Sequence, residues 1–194
     1  MFTGIIEHMG TVTRKNGARY FVRADTKVVE RLRTGTSISI NGACTTVIAH
    51  KGTEFSIEIM PETEKRTTFS TLAKGSRVNL ELPATPATFL SGHIVQGHVD
   101  GVGTVKKIVR EENSRLIVIE TPRALAKYIV KKGSITVQGV SLTVVDIRGK
   151  LCTVGIIPFT YSHTVLGTLR IGDAVNIEVD VLAKYAERLL QKKP

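Results

Sequence analysis

Cys44 and Ser141 hold the same place in two similar lines of sequence, NGACTTV at 41–47 and QGVSLTV at 138–144, 97 residues apart. A thiol and a hydroxyl are both potential nucleophiles, and the thiol is the softer and more readily ionised. Set in matching surroundings, they would give two similar pockets unequal reactivities. Three further differences are of the same kind. Asp180 stands where the first line has Pro83, and Lys132 adds an amine beside Gly133, which is read as the counterpart of Gly35. His98 matches Ile5 in the segments GHVDGVGTV (97–105) and GIIEHMGTV (4–12), which align at an offset of 93. An imidazole at that point can carry a proton near neutral pH. Two identical ligands held there would be treated differently, one activated as an electrophile by a thiolate or hydroxide, the other deprotonated.

Each of these residues also has a plainer reading. Cys44 on a strand can be a small buried hydrophobe, and Cys152 in KLCTVGI, with no matching polar setting, reads as that. His93 and His98 are five apart, an odd spacing that turns two rings to opposite faces of a strand. No further His or Cys cluster supplies more ligands, so no metal is expected. His8, His50 and His163 read as surface or loop residues.

The elements that must position these groups are duplicated. Residues 37–83 lie over 134–180 without a gap, with 16 of 47 positions identical. A period near 97 is too long for a solenoid and indicates two copies of one small domain. The segments most alike are Gly4–Ile6 with Gly97–Val99, Cys44–Thr46 with Ser141–Thr143, and Met60–Thr63 with Ile157–Thr160. Their glycines, hydroxyls and prolines suit close approach to a planar heterocycle, although Pro61 and Pro158 can equally mark turns common to both copies.

TSISI, EFSIEI, SRVNLEL, RLIVIE, SITV and AVNIEV alternate or are β-branched, with KNG, HKG and RGK between several of them, so the chain reads as short strands and tight turns. One short helix per copy is expected, 25–32 with Asp25 as N-cap and 121–133 with Thr121 as N-cap, Pro122 first and Gly133 as stop. The tail 182–193 sets Leu182, Tyr185, Ala186, Leu189 and Leu190 on one face, to pack on its own barrel or on another copy. PATPATFLSG (83–92) breaks the strand pattern as a linker. The fold class is therefore all-β: two similar small barrels, closed to hide their edges, in tandem with a C-terminal α-helix. Its parts are 1–90, 91–181 and 182–194.

Bulk properties exclude several classes. With 194 residues, each half can close its own core. Hydrophobic content of 42% and charged content of 23% are ordinary for a soluble protein, and no apolar run nears the ~20 residues of a membrane span. MFTGIIEHMG carries no signal-peptide pattern, and two cysteines fit a reducing cytoplasm. The net charge of +10 is scattered in pairs such as Lys106-Lys107, Lys131-Lys132 and Lys192-Lys193, with 5% aromatics and no Trp. That is a solvated basic surface and not a nucleic-acid footprint.

Six blocks in order, MFTGIIE, NGACTTV, MPET, GHIVQGHVDG, KKGSITVQGVSLTV and VNIEVDVLAKYAERLL, resemble the riboflavin synthase α-chain family over essentially the whole chain. The resemblance implies Greek-key barrels of six strands and a homotrimer built through the C-terminal helices. It implies a transferase that dismutates two molecules of 6,7-dimethyl-8-ribityllumazine into riboflavin and a pyrimidinedione by four-carbon transfer, without cofactor or metal. The site would lie between the N-terminal barrel of one subunit and the C-terminal barrel of a neighbour. Lumazine synthase is a further partner that the resemblance allows. It places one ligand against Gly4, Ile5, Ile6, Cys44, Thr45, Thr46, Glu58, Ile59, Met60, Pro61, Glu62 and Thr63. The other is placed against Gly97, His98, Val99, Lys132, Ser141, Leu142, Thr143, Gly155, Ile156, Ile157, Pro158, Phe159 and Thr160. Cys44 would help deliver a nucleophile to the acceptor ring, while Ser141, Thr143 and Asp180 hold or polarise its partner. His98 would serve as base for the acidic ring methyl, and Phe2 would help close the site. The alternative is a non-catalytic lumazine- or flavin-binding antenna of the same ancestry.

Overall fold

Strand alternation decides the architecture. In β4 (Ala43–Lys51), Ala43, Thr45 and Val47 are buried while Cys44 and Thr46 face outward. In β10 (Val140–Arg148), Val140, Leu142 and Val144 are buried while Ser141 and Thr143 face outward. A short sheet with one apolar face can hide that face, and its edges, by curling on itself into a barrel.

The computed structural model describes residues 1–191 and shows two such closures. The N-terminal barrel comprises β1 (His8–Asn16), β2 (Arg19–Arg23), β3 (Ser37–Ile40), β4, β5 (Glu54–Glu58) and β6 (Arg77–Glu81). Its strands run around the barrel in the order β1-β2-β5-β4-β3-β6, antiparallel throughout and closed by β6 on β1. The C-terminal barrel repeats the arrangement with β7 (Gly101–Glu111), β8 (Ser114–Glu120), β9 (Ser134–Val137), β10, β11 (Leu151–Ile156) and β12 (Ala174–Val179). Register shifts fall at matching places, Val12/Arg14 with Val105/Lys107 and Val47/Ala49 with Val144/Asp146. Such bulges sharpen the twist that a six-stranded closure needs.

The helices are shorter than expected. Asp25 does cap α1, accepting from the Lys27 amide at 2.8 Å, but α1 spans only Thr26–Val29. The segment expected as helix 121–133 is a 3-10 turn over Arg123–Tyr128, with Pro122 at the cap position. Thr121 instead bonds the Lys150 carbonyl through both its amide and its hydroxyl, so it is tied to a hairpin and cannot cap. Two short helices went unforeseen, α2 (Pro61–Arg66) and α3 (Pro158–His163), each opened by its proline. The tail forms α4 (Val181–Leu190), with Asp180 as N-cap. Leu182, Tyr185, Leu189 and Leu190 are exposed along it. The Lys192-Lys193 pair and the end of the expected 182–194 unit lie outside the described residues.

A two-fold set of buried polar contacts joins the barrels. The β3–β4 and β9–β10 hairpins turn on Asn41-Gly42 (φ 48° and 84°) and Gln138-Gly139 (φ 50° and 80°), the type I′ pattern. The two turns abut, and a Cβ on Gly42 would stand 2.7 Å from the Gly139 nitrogen. Asn79 of β6 donates to the Gln138 carbonyl, and Asn176 of β12 donates to the Asn41 carbonyl, both at 2.8 Å. Each asparagine oxygen also accepts an amide from the opposite barrel, Val165 on Asn79 and Thr68 on Asn176.

Asn79→Ala would strand the Val165 amide and the Gln138 carbonyl in the interior. It is expected to cost about 2–4 kcal/mol of stability, and Asn176→Ala a similar amount by symmetry. Urea melts with an unchanged slope check both, and a loss under about 0.5 kcal/mol would contradict the assignment.

Candidate functional site

The segments preceding each barrel cross over to the other one. Phe2 pairs with Val95 in an antiparallel bridge, its amide donating to the Val95 carbonyl at 2.7 Å. These are equivalent residues at the offset of 93, so the bridge lies on the two-fold relation between the copies. Beyond it the chains diverge. Ile6 enters the core of the C-terminal barrel, and Val99 packs on the core of the N-terminal barrel.

Two mirrored clusters result. The Cys44 amide donates to the Gly97 carbonyl at 2.8 Å, and the Ser141 amide donates to the Gly4 carbonyl at 2.7 Å. A Cβ on Gly97 would stand 2.7 Å from Cys44 Cβ, and one on Gly4 would stand 2.6 Å from Ser141 Cβ. Both glycines have positive φ, 78° and 75°, so glycine is required twice over at each contact. The resemblance grouped Gly4, Ile5 and Ile6 with Cys44, and Gly97, His98 and Val99 with Ser141. The structure pairs them crosswise. Exposed His98 therefore follows the residue that touches Cys44, and exposed Ile5 follows the one that touches Ser141.

Strand register supplies the next wall. Val47 pairs with Ile57 and Val144 with Val154. Beyond these pairs Thr46 and Thr143 face outward on β4 and β10, Glu58 and Gly155 follow on β5 and β11, and Met60 and Ile157 stand at the N-caps of α2 and α3. Met60, Ile157 and Phe159 are exposed apolar side chains at these rims, ready to cover a flat ring. Where the first cluster carries the Glu58 carboxylate, the second has Gly155 and no side chain. Thr45, Leu142, Ile59 and Ile156 point into the barrels, and Thr45 donates to the Ile38 carbonyl at 2.9 Å. Only their backbones can reach a ligand. Pro61 and Pro158 open α2 and α3. Glu62 pairs with Arg66, while Thr63 and Thr160 accept from the Thr67 and Thr164 hydroxyls at 2.7 Å.

Lys132 takes φ 69° and donates its amide to the Val144 carbonyl at 2.8 Å. Gly35, at φ 88°, makes the same bond to Val47. The counterpart of Gly35 is therefore Lys132 and not Gly133. A lysine in the left-handed region costs on the order of 1 kcal/mol. Phe2 is fully buried, its ring edge beside Gly97, so it is a floor beneath the Cys44 cluster and cannot close it from outside. Asp180 caps α4 by accepting from the Leu182 amide at 2.9 Å, and its charge faces His93.

His93 is the residue the sequence reading missed. Its Nδ1 lies 2.7 Å from Ser141 Oγ, and its Nε2 lies 3.2 Å from Thr136 Oγ1. It sits in irregular chain, buried, while His98 is exposed. Among the described residues no His, Cys, Asp and Glu gather in a metal-binding group. Burial pushes the His93 imidazole below its ordinary value, and the facing Asp180 offsets only part of that. A neutral ring accepts from one hydroxyl and donates to the other. At the Cys44 cluster, β3 presents Ser39 in place of Thr136, opposite Cys44 in register. Cys152 is buried in the C-terminal core, and burial pushes its thiol up to about 11.

The depressed His93 pKa fixes a sign. Below about 6.5 the unfolded chain takes up a proton that the folded ring resists, so stability falls as pH drops through that value. NMR should place the His93 midpoint below 6.5, and His93→Gln should flatten that part of the acid-side decline. A midpoint above 6.5 would contradict the buried neutral pair.

The lumazine binding domain family matches residues 3–83 and 96–180. Riboflavin synthase of Actinobacillus pleuropneumoniae is 43% identical, the alignment spanning 100% of this chain and 92% of that one. The Bacillus subtilis riboflavin synthase is 40% identical over 99% and 91% of the two chains. The Mycobacterium tuberculosis riboflavin synthase is 42% identical over 98% of each. Among solved structures, LumP complexed with 6,7-dimethyl-8-(1'-D-ribityl) lumazine superposes with a TM-score of 0.83 at 28% identity, covering 92% of this chain and 99% of that one. The two matched repeats coincide with the two barrels and their leading segments, and the chain belongs to the lumazine binding domain family, among the riboflavin synthases.

Proposed function

We propose that the chain is a transferase that dismutates two molecules of 6,7-dimethyl-8-ribityllumazine, one giving a four-carbon unit to the other, to yield riboflavin and 5-amino-6-ribitylaminopyrimidinedione. One observation carries the reading. Two sockets of the same construction hold unequal reactive groups, Cys44 with His98 in one and Ser141 with His93 in the other. A reaction that consumes two copies of one molecule and treats them differently needs that combination. The riboflavin synthase relatives, at 37–43% identity over nearly the full length, support the same conclusion.

The chain's own groups divide the work. In the first socket the outward Cys44 thiol is the soft nucleophile, and His98 is positioned to move a proton of the ring methyl. In the second, His93 polarises Ser141 Oγ, and the outward Thr143 extends that polar wall. Met60 and Ile157 supply apolar cover for the ring at matching places. In parts, the chain comprises lumazine-binding barrels at 1–90 and 91–181 and an assembling C-terminal unit at 182–194, of which α4 is the described helix. The exposed Leu182, Tyr185, Leu189 and Leu190 face of α4 supports a homotrimer, and a reducing cytoplasm suits its free cysteines. No helix among the described residues is long and apolar enough to cross a membrane.

LumP, solved in complex with 6,7-dimethyl-8-(1'-D-ribityl) lumazine, riboflavin and flavin mononucleotide, supports the rival reading of a binder without turnover. Mixing the protein with the ribityllumazine separates the two. Appearance of flavin absorbance is expected; a spectral shift without turnover would leave only the antenna. Cys44→Ala and Ser141→Ala should each lower turnover by about two orders of magnitude while binding of the substrate persists. Full rate in both would overturn the assignment of roles. Leu189→Glu with Leu190→Glu should convert a sedimenting trimer to monomer, and an unchanged mass would overturn the α4 interface.

A further inference from the structure

Two buried carboxylates remain outside the mechanism. Glu81, at the end of β6, accepts the Thr3 amide at 2.6 Å and the Thr3 hydroxyl at 2.8 Å on one oxygen, and the Gly4 amide at 3.0 Å on the other. Glu178 of β12 accepts the Gln96 amide at 2.7 Å and the Gly97 amide at 3.0 Å, again one on each oxygen. Both side chains are almost fully buried, and among the described residues neither makes a salt bridge. Burial pushes both carboxyls up, and the amide bonds pull them part of the way back. A buried carboxylate without a cation is costly, so its placement has to be set against what it holds.

What it holds is the segment that reaches the opposite barrel. Gly97, gripped by Glu178 of the C-terminal barrel, receives the Cys44 amide of the N-terminal barrel. Gly4, gripped by Glu81 of the N-terminal barrel, receives the Ser141 amide of the C-terminal barrel. The next residue in each segment is His98 or Ile5, the exposed side chain of the socket.

We propose that Glu178 and Glu81 are positioning residues that act across the molecule, each setting the geometry of the socket on the other barrel. Glu178 fixes His98 over Cys44, and Glu81 fixes Ile5 over Ser141. A carboxylate is suited to this because both of its oxygens accept, whereas an amide replaces one acceptor with a donor that opposes the backbone N–H. A merely structural glutamate would affect its own barrel first, or both barrels alike.

The test reads the sockets separately and needs no turnover. Iodoacetamide labels Cys44, since Cys152 is buried with its thiol pushed up to about 11. Glu178→Gln should speed Cys44 labelling about tenfold by freeing the covering segment, while Glu81→Gln leaves it unchanged. Amide exchange by NMR should show the converse pair: protection lost at Cys44 in Glu178→Gln and at Ser141 in Glu81→Gln. Should a glutamine variant not fold, Glu178→Asp and Glu81→Asp keep the charge, withdraw the grip by one methylene and should show the same crossed pattern more weakly. Equal changes at both sockets, changes confined to the variant's own barrel, or failure of all four variants to fold would overturn the proposal. The activity arm rests on the riboflavin synthase reading: kcat/KM should fall by roughly a hundredfold in either glutamine variant. If the unsubstituted protein makes no flavin, that reading fails, while the labelling and exchange results still decide the crossed positioning.

Discussion

The amide clasp at the centre of the molecule is the constraint on which the other features depend. Asn79 and Asn176 each hand a donor to a hairpin turn of the other barrel and take an amide in return. All four bonds are buried, so breaking the barrels apart would leave polar groups dry unless water followed them in. The clasp fixes where Gly42 meets Gly139. That contact brings β4 and β10 to the side where the opposite copy's leading segment arrives. Each copy's leading segment thus lies against the outward face of the other copy's strand, Gly97 on Cys44 and Gly4 on Ser141.

Symmetry and difference have separate physical sources. The backbone is nearly symmetric because its glycines, bulges and buried asparagines recur at fixed offsets. The outward side chains are free to diverge because no core depends on them. Cys44 and Ser141, Glu58 and Gly155, and Gly35 and Lys132 are exchanges of this kind, made on unchanged strands and turns. His93 arises differently, from irregular chain just past the linker, and gives Ser141 a neutral imidazole partner on that side of the molecule.

Much of this was legible in the residues. Periodicity of two along TSISI and AVNIEV, turn glycines and the gapless overlay of 37–83 on 134–180 suffice for two closed barrels. Outward placement of Cys44 and Ser141 follows from the same alternation. The crossing of the leading segments was not legible, because an overlay of copies says which residues correspond and not which touch. His93 escaped because it lies outside the overlay and because strand alternation was assumed where the chain is irregular. The helix expected at 121–133 failed on tertiary grounds, since Thr121 is held by the Lys150 carbonyl and the segment tightens into a 3-10 turn. Gly35 was matched to Gly133 as glycine to glycine, one place off, whereas the residue that takes the positive φ is Lys132.

The central claim is that each ligand socket is built from both copies. A crystal structure with the ribityllumazine bound tests it most directly. One ring should lie between Cys44 and the Gly97–His98 segment, the other between Ser141 and the Gly4–Ile5 segment. Rings contacted by Cys44 together with Gly4–Ile5, or by Ser141 together with Gly97–His98, would contradict it.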